Sequence, residues 1–258
     1  MKRSLFAVVT SALFVTYGFA TDVAYRYLGT IKTPLPAFVS VEKYPNEPEM
    51  LLISSFGAFS AGKVSMIPRI GDVLTNKTFS TAQAQILADN YKWPNSISTV
   101  PQDVFGSGIK AIVVPDGFLP PGKGDGNVFV LVDENGKWFN HQISTLKSGY
   151  FYHAGEWVDI NGDGRKDFLS ARTNAQAGSG QLVWFEHPAE GLNKLPWTEH
   201  VVTAGPDVMF EVKDNLKGYE NSFVVFASEF FNKKLTVYEF GKGAVNGGKL
   251  INSRVIDV

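Results

Sequence analysis

The chain has 258 residues and a formal net charge of −1, with no cysteine. No basic block stands out along it, so nucleic acid and anionic membrane are poor partners. Disulfides and thiol chemistry are excluded, and stability has to come from a buried core, which a chain of this length can build.

Lys2 and Arg3 form a basic start, Leu5 to Phe19 is mostly apolar, and Gly18-Phe19-Ala20 ends in small residues. This predicts a secretory signal peptide over residues 1–20, cut before Thr21, and a secreted mature domain over 21–258. The apolar run is short for a spanning helix, which needs about twenty residues. Losing Lys2 and Arg3 takes the 24 basic residues to 22 against 25 acidic ones. Asn76-Lys77-Thr78 is an N-glycosylation sequon, which predicts an exposed Asn76 and a glycoprotein. Thr81 to Asn90 is the one stretch of helix-forming composition. The rest is short runs of Val, Ile, Phe, Tyr and Trp broken by Gly, Pro, Asn and Asp, which predicts many short strands.

The strands repeat. Gly126-Asn-Val-Phe-Val-Leu-Val-Asp133 is followed by Trp138-Phe-Asn-His141-Gln-Ile143, and Gly180-Gln-Leu-Val-Trp-Phe-Glu-His187 by Trp197-Thr-Glu-His200-Val-Val202. The two leading glycines are 54 residues apart. Upstream, Asp103 to Ile112 and Asp159 to Phe168 are 56 residues apart and share an Asp, two glycines and a Lys. Weaker copies flank the pair, giving units at about 38–90, 97–149, 150–204 and 205–258. Each unit reads as four strands. Four-stranded repeats of this period predict an all-β fold, a β-propeller of four four-stranded blades. Tyr25 to Ile31 reads as one further outer strand, which would either complete a blade with the C-terminal strands, making an irregular five, or serve as an edge cover.

One turn between strands carries chemistry. Asp159-Ile-Asn161-Gly-Asp163-Gly-Arg165-Lys-Asp167 alternates oxygen-bearing side chains with small residues, as a Ca²⁺ loop does. Gly164 falls where the chain must double back. An EF-hand would require Glu at the twelfth position, where Ser170 stands, and helices on either side, where strands are expected. Crowded carboxylates repel unless a cation or strong donors offset them. A metal-free Asx-rich turn is the other reading.

Together, D-x-N-x-D-G-x-x-D-F, G-x-L-V-W-F-E-x-P and W-x-x-H-V-V resemble the FG-GAP/VCBS repeat, which builds the integrin α-subunit head and many secreted propellers. The resemblance is sharp over residues 150 to 204. It implies one structural Ca²⁺ held by the side chains of Asp159, Asn161, Asp163 and Asp167 and the backbone carbonyl of Arg165. In the second unit Phe105, Ser107 and Ala111 replace three of these, so no metal is expected there. The first-unit turn, Tyr44 to Glu49, lacks the glycines, and the fourth-unit turn, Lys213 to Asn221, lacks the register.

Other chemistry is weakly signalled. His141 and His200 share a repeat position, which predicts packing between blades and ties to neighbouring strands. His153 and His187 have no spacing typical of a zinc site. Gly178-Ser-Gly180 matches no phosphate loop, and Gly106-Ser-Gly108 no nucleophile elbow. The loops between second and third strands vary most: Phe56 to Gly62, Asp116 to Gly126, Thr173 to Gly180 and Glu229 to Lys234. Variable loops on a rigid scaffold are where recognition sits, and Phe118, Phe230 and Phe231 lie in or beside them. The leading functional reading is a secreted, Ca²⁺-stabilised binding or adhesion module for a protein or glycan. A secreted lyase or hydrolase acting on carbohydrate, using His153 or His187, is the alternative. A subunit that closes its ring only with a partner is a third, which allows a homo-oligomer.

Overall fold

The computed structural model describes residues 26–118, 120, 123–174 and 176–256; the expected signal peptide lies outside them. The described residues form four four-stranded antiparallel sheets, each a meander of consecutive strands. Sheet 1 contains β1 (Pro36–Glu42), β2 (Met50–Gly57), β3 (Ser60–Ile67) and β4 (Gln85–Tyr91), with helix α1 (Ile70–Asn76) between the last two. Sheet 2 contains β5 (Ser98–Thr99), β6 (Ala111–Pro115), β7 (Val128–Glu134) and β8 (Lys137–Gln142), with the short helix α2 (Gln102–Phe105) after β5. Sheet 3 is β9 (Tyr150–Val158), β10 (Asp167–Asn174), β11 (Ser179–Glu186) and β12 (Thr198–Ala204). Sheet 4 is β13 (Met209–Lys213), β14 (Ser222–Glu229), β15 (Lys234–Gly241) and β16 (Leu250–Ile256). The chain is all-β, as its strand pattern predicts.

The sheets stack in chain order. Side chains alternate across a strand, so a strand buried on both faces reads as a continuous apolar run. In β6, Ile112 and Val114 pack back toward Leu52, Val64 and Leu87 of sheet 1. Their neighbours Ala111 and Val113 pack forward with Val130 against Phe168, Val183, Phe185 and Trp197 of sheet 3. On the other side of sheet 3, Leu169, Ala171, Leu182 and Trp184 meet Phe223, Val225, Tyr238 and Phe240 of sheet 4. Each fully buried apolar side chain contributes roughly 1.5–3 kcal/mol, and these three clusters hold neighbouring sheets together. The first strands also approach one another, β1 against β5 and β9 against β13. Burial, then the charges of Glu211 on β13 and Glu42 on β1, push the carboxyl of Glu156 on β9 up.

The two leading glycines of the repeat have a steric reason. A Cβ on Gly126 would stand 1.8 Å from the carbonyl oxygen of Asp116, and one on Gly180 would stand 2.4 Å from that of Pro206. At both positions the third strand of a sheet starts where another backbone crosses against it. Trp138 and Trp197 are equivalent too, each packing toward the preceding sheet.

Two expectations are corrected. Thr81 to Asn90 is no helix: Gln85–Tyr91 is strand β4, paired with β3. Leu87 and Tyr91 are buried against sheet 2, and that burial outweighs the weak helical preference of the stretch. The N-terminal stretch adds no strand over 26–35, so it completes no further blade, and of its two expected roles covering is the one it takes. Ile31 covers sheet 1, packed with Ile53, Ile67 and Ile70.

Candidate functional site

In a meander the turns between first and second strands gather at one end and those between second and third at the other. Asp159 to Asp167 joins β9 to β10 at the first end. Gly162 and Gly164 have φ of 74° and 83°, conformations that cost glycine little. Asp159 Oδ1 accepts from Gly162 N (2.8 Å) and Oδ2 from Gly164 N (3.0 Å). Asn161 Oδ1 accepts from Asp163 N (3.1 Å), and Asp163 Oδ1 from Arg165 N (2.8 Å). The Arg165 guanidinium pairs with Asp163 and donates through Nε to the carbonyl of His187 (3.1 Å). Asp167 is fully buried; its oxygens accept from Ile160 N (3.0 Å) and His187 N (2.9 Å). Burial, with Asp163 adding to it, pushes the Asp167 carboxyl up to about 7.

The expected ligand residues thus share one turn, and hard oxygen donors suit Ca²⁺. Among the described residues, however, no three His, Asp or Glu side chains gather as a metal cage; each carboxylate is turned onto backbone N–H groups. The donor chemistry fits the ion, since a divalent cation would offset the charge of a buried carboxylate beside Asp163. The turn also packs on sheet 4: Gly243 N donates to Ile160 O (2.9 Å), and a Cβ on Gly162 would lie 2.9 Å from Gly243 Cα.

The sister turn of sheet 2 keeps the backbone and loses the donors. Gly106 and Gly108 have φ of 99° and 91°, while Asp103 sits on α2 and pairs with Lys166 Nζ (2.9 Å). Asn76 ends α1 and is exposed, as is Thr78 of its sequon.

The second end carries an aromatic tract. Phe56 at the end of β2 lies 4.1 Å, ring to ring, from Trp93, and Trp93 stacks on Phe118 at 5.6 Å with 21° between planes. Phe38, Phe151 and His153 extend the tract inward. Phe56, Trp93 and Phe118 are half-buried, and Phe59, at the tip of the β2–β3 hairpin, is exposed. Beyond them, Lys123 Nζ donates to Ser60 O (2.9 Å) and Lys92 Nζ to Asp125 O (2.5 Å). Phe230 projects into solvent, whereas Phe231 packs near Gly178.

Buried aspartates brace this end. Asp116 accepts from Lys92 N (3.1 Å) and Trp93 N (2.6 Å), holding the backbone that presents Trp93. Asp207 does the same for the β14–β15 loop, accepting from Phe230 N (2.9 Å) and Phe231 N (2.8 Å). Burial pushes both carboxyls up against those donors. Trp93, Asp207 and the bracing role of Asp116, which opens one of the variable loops, were not legible in the sequence. Trp93 lies in a connection between repeat units, Asp207 precedes the first strand of its own unit, and one Asp beside a proline or glycine reads as a turn.

The histidines go to separate places. His200 Nε2 meets Glu186 Oε2 (2.8 Å) and stacks on Trp184 at 4.2 Å, tying β12 to β11. It is half-exposed on an outer strand, which corrects the expected packing between sheets. His187 stacks on Trp197 at 4.7 Å beside the Asp-rich turn. His153, on β9, belongs to the other end, about five residues or roughly 17 Å of strand away. The two therefore do not meet at one metal or one substrate atom. Arg172, fully buried, is satisfied by Gln181 (2.8 Å) and Glu199 (2.5 Å) within sheet 3.

No family model matches the chain, and no curated protein does. No helix among the described residues is long and apolar enough to cross a membrane.

Proposed function

We propose that the four sheets are blades of a β-propeller, and that the chain is a secreted, Ca²⁺-stabilised binding module whose ligand docks on the loop end. The propeller reading is supported by the consecutive meanders, their stacking in chain order, and the approach of first strands to one another, β1 to β5 and β9 to β13. Ca²⁺ at Asp159, Asn161, Asp163 and Asp167 would clamp the β9–β10 turn where sheet 4 leans on it.

The observation that carries the binding reading is the Phe56–Trp93–Phe118 tract. Large planar rings, half open and held by a buried Asp, give contact area at low entropic cost. The flanking polar groups of Lys92, Lys123 and Asp125 supply hydrogen bonds. Such a surface suits a sugar ring, whose C–H face stacks and whose hydroxyls need donors and acceptors; a protein segment is the other ligand it would take. A glycan array probed with the labelled domain tests this. Signal that Trp93→Ala removes, at unchanged thermal stability, supports it. An array with no signal, or signal indifferent to Trp93, counts against a glycan ligand, and the aromatic face would then be tested on protein.

A further inference from the structure

The clefts between neighbouring sheets repeat as the strands do, and at the end that carries the Asp-rich turn one of them fills a slot that another leaves open. In unit 3, His187 follows β11 and stacks on Trp197 at 4.7 Å with 17° between ring planes. The connection from β11 to β12 closes over the pair: it contains a short turn at Gly191–Asn193, and Trp197 Nε1 donates to Gly191 O (3.3 Å). Trp197 is buried as a result. In unit 2 the matching residues are Asp133 and Trp138, directly opposed across β7 and β8. There the two-residue turn Asn135-Gly136, with φ of 57° and 86°, joins the strands, and it is too short to reach over the indole. Trp138 is half-buried, and among the described residues no aromatic ring stacks on it. A cavity of about 230 Å³ lies beside it, shared with Tyr44, Met50 and Met66 of sheet 1.

Four charged side chains line that cavity: Glu47, Arg69, Lys110 and Asp133. Lys110 Nζ is matched by Glu47 (2.6 Å), and Arg69 Nε by Asp72 (2.5 Å). Asp133 has no cation among the described residues; its Oδ1 accepts from Gly136 N (2.7 Å). Burial, then the charges of Glu42, Asp133 and Glu47, push the Tyr44 phenol up, so the field at that wall is negative. An indole face beside an unmatched carboxylate suits a cation. The ring that fills the sister slot is flat, and the flat cation among side chains is guanidinium. It stacks on aromatic faces and meets a carboxylate with paired N–H bonds, whereas an ammonium is a hydrated point charge. Cavities that enclose whole small molecules run to about 300–1,000 Å³; this one has the size for a single side chain. We infer that the cleft between sheets 1 and 2 takes an arginine side chain of a protein partner, its guanidinium laid on Trp138 and donating to Asp133. This site is at the opposite end from the Phe56–Trp93–Phe118 tract and does not depend on what binds there.

Nuclear magnetic resonance of the isotope-labelled domain tests it, with the Trp138 indole N–H signal assigned by its loss in Trp138→Phe. N-acetylarginine amide should shift that signal saturably and leave the Trp197 indole in place. N-acetylcitrulline amide, of the same shape without the charge, should bind about tenfold or more weakly, and so should the arginine amide to Asp133→Asn. N-acetyllysine amide, charged but not flat, should also bind more weakly. Asn at 133 keeps an oxygen for Gly136 N, so the hairpin is retained in that variant. Asp133→His should set an imidazole on Trp138, as in the sister unit, and abolish the shift, while Trp93→Ala should leave the affinity unchanged. A Trp138 signal that does not move, a citrulline or lysine amide that binds as well as the arginine amide, wild-type affinity in Asp133→Asn, or loss of binding in Trp93→Ala overturns the proposal.

Discussion

His153 lies on β9 with its ring edge-on to Phe38 at 5.3 Å, and its Nδ1 is buried without a partner. Burial pulls its pKa from 6.5 down to about 4. Because the folded state holds the neutral ring, the sign follows from linkage. Above pH 6.5 neither state is protonated there, and the group has no pH effect. Between pH 6.5 and about 4 the unfolded chain takes a proton that the folded chain refuses, so stability falls, by roughly 3 kcal/mol in total. His153→Phe should remove that loss when denaturant unfolding is followed across this window, and an unchanged slope would show that His153 is not its source. Asp167 acts in the opposite sense. Its raised pKa means that, with chelator present, stability falls as pH rises from about 4 through about 7, and Asp167→Asn should flatten that limb. Gly180 makes a steric prediction: Gly180→Ala drives a methyl into the 206–207 backbone and should cost about 1–3 kcal/mol. Unfolding within a few tenths of a kcal/mol of wild type would show that this crossing yields easily.

Trp197 and the Asp-rich turn act at the level of the element. Trp197 leads β12 into the cluster between sheets 2 and 3, with its backbone N–H on Ile143 O (2.8 Å). Trp197→Ala should cost about 3–5 kcal/mol. A loss near that of an exposed residue would mean that the interface does not depend on it. For the β9–β10 turn, Ca²⁺ at a hundred times its Kd should add about 2.7 kcal/mol. In a domain of this size that raises the melting temperature by roughly 5–10 °C. Chelator should reverse the rise, and Asp163→Ala should abolish it. If chelator leaves the wild-type melting temperature where it was, the turn is an Asx-rich turn held by Gly162, Gly164 and Arg165 alone. Elements were the most legible level of this sequence. Tyr150–Val158 reads as a strand directly, because an aromatic-rich run ended by an Asn-Gly-Asp-Gly turn leaves little choice. Gln85–Tyr91 does not, because its Ala, Gln and Leu carry weak local preference and its strand state comes from pairing with β3.

At the scale of the molecule, the repeat made the sheets readable while the site stayed hidden. Glycines 54 and 56 residues apart mark equivalent turns, since a backbone crossing or a positive φ forces glycine wherever the unit recurs. Binding surfaces obey no such period. Phe56, Trp93 and Phe118 come from three separate stretches of sequence, and stacking of sheets 1 and 2 brings them together. Phe56 and Phe118 fall in the variable loops 56–62 and 116–126 while Trp93 falls in none, and Asp116, which fixes Trp93, resembles any turn residue until its burial is seen. The measurement that tests the binding account most directly is titration of the purified domain with saccharides chosen from an array, read by tryptophan fluorescence beside a Trp93→Ala control. The account predicts a saturable change in the wild type that Trp93→Ala abolishes while its melting temperature stays within a few degrees. Binding that survives Trp93→Ala unchanged, or no binding by the wild type, would contradict it.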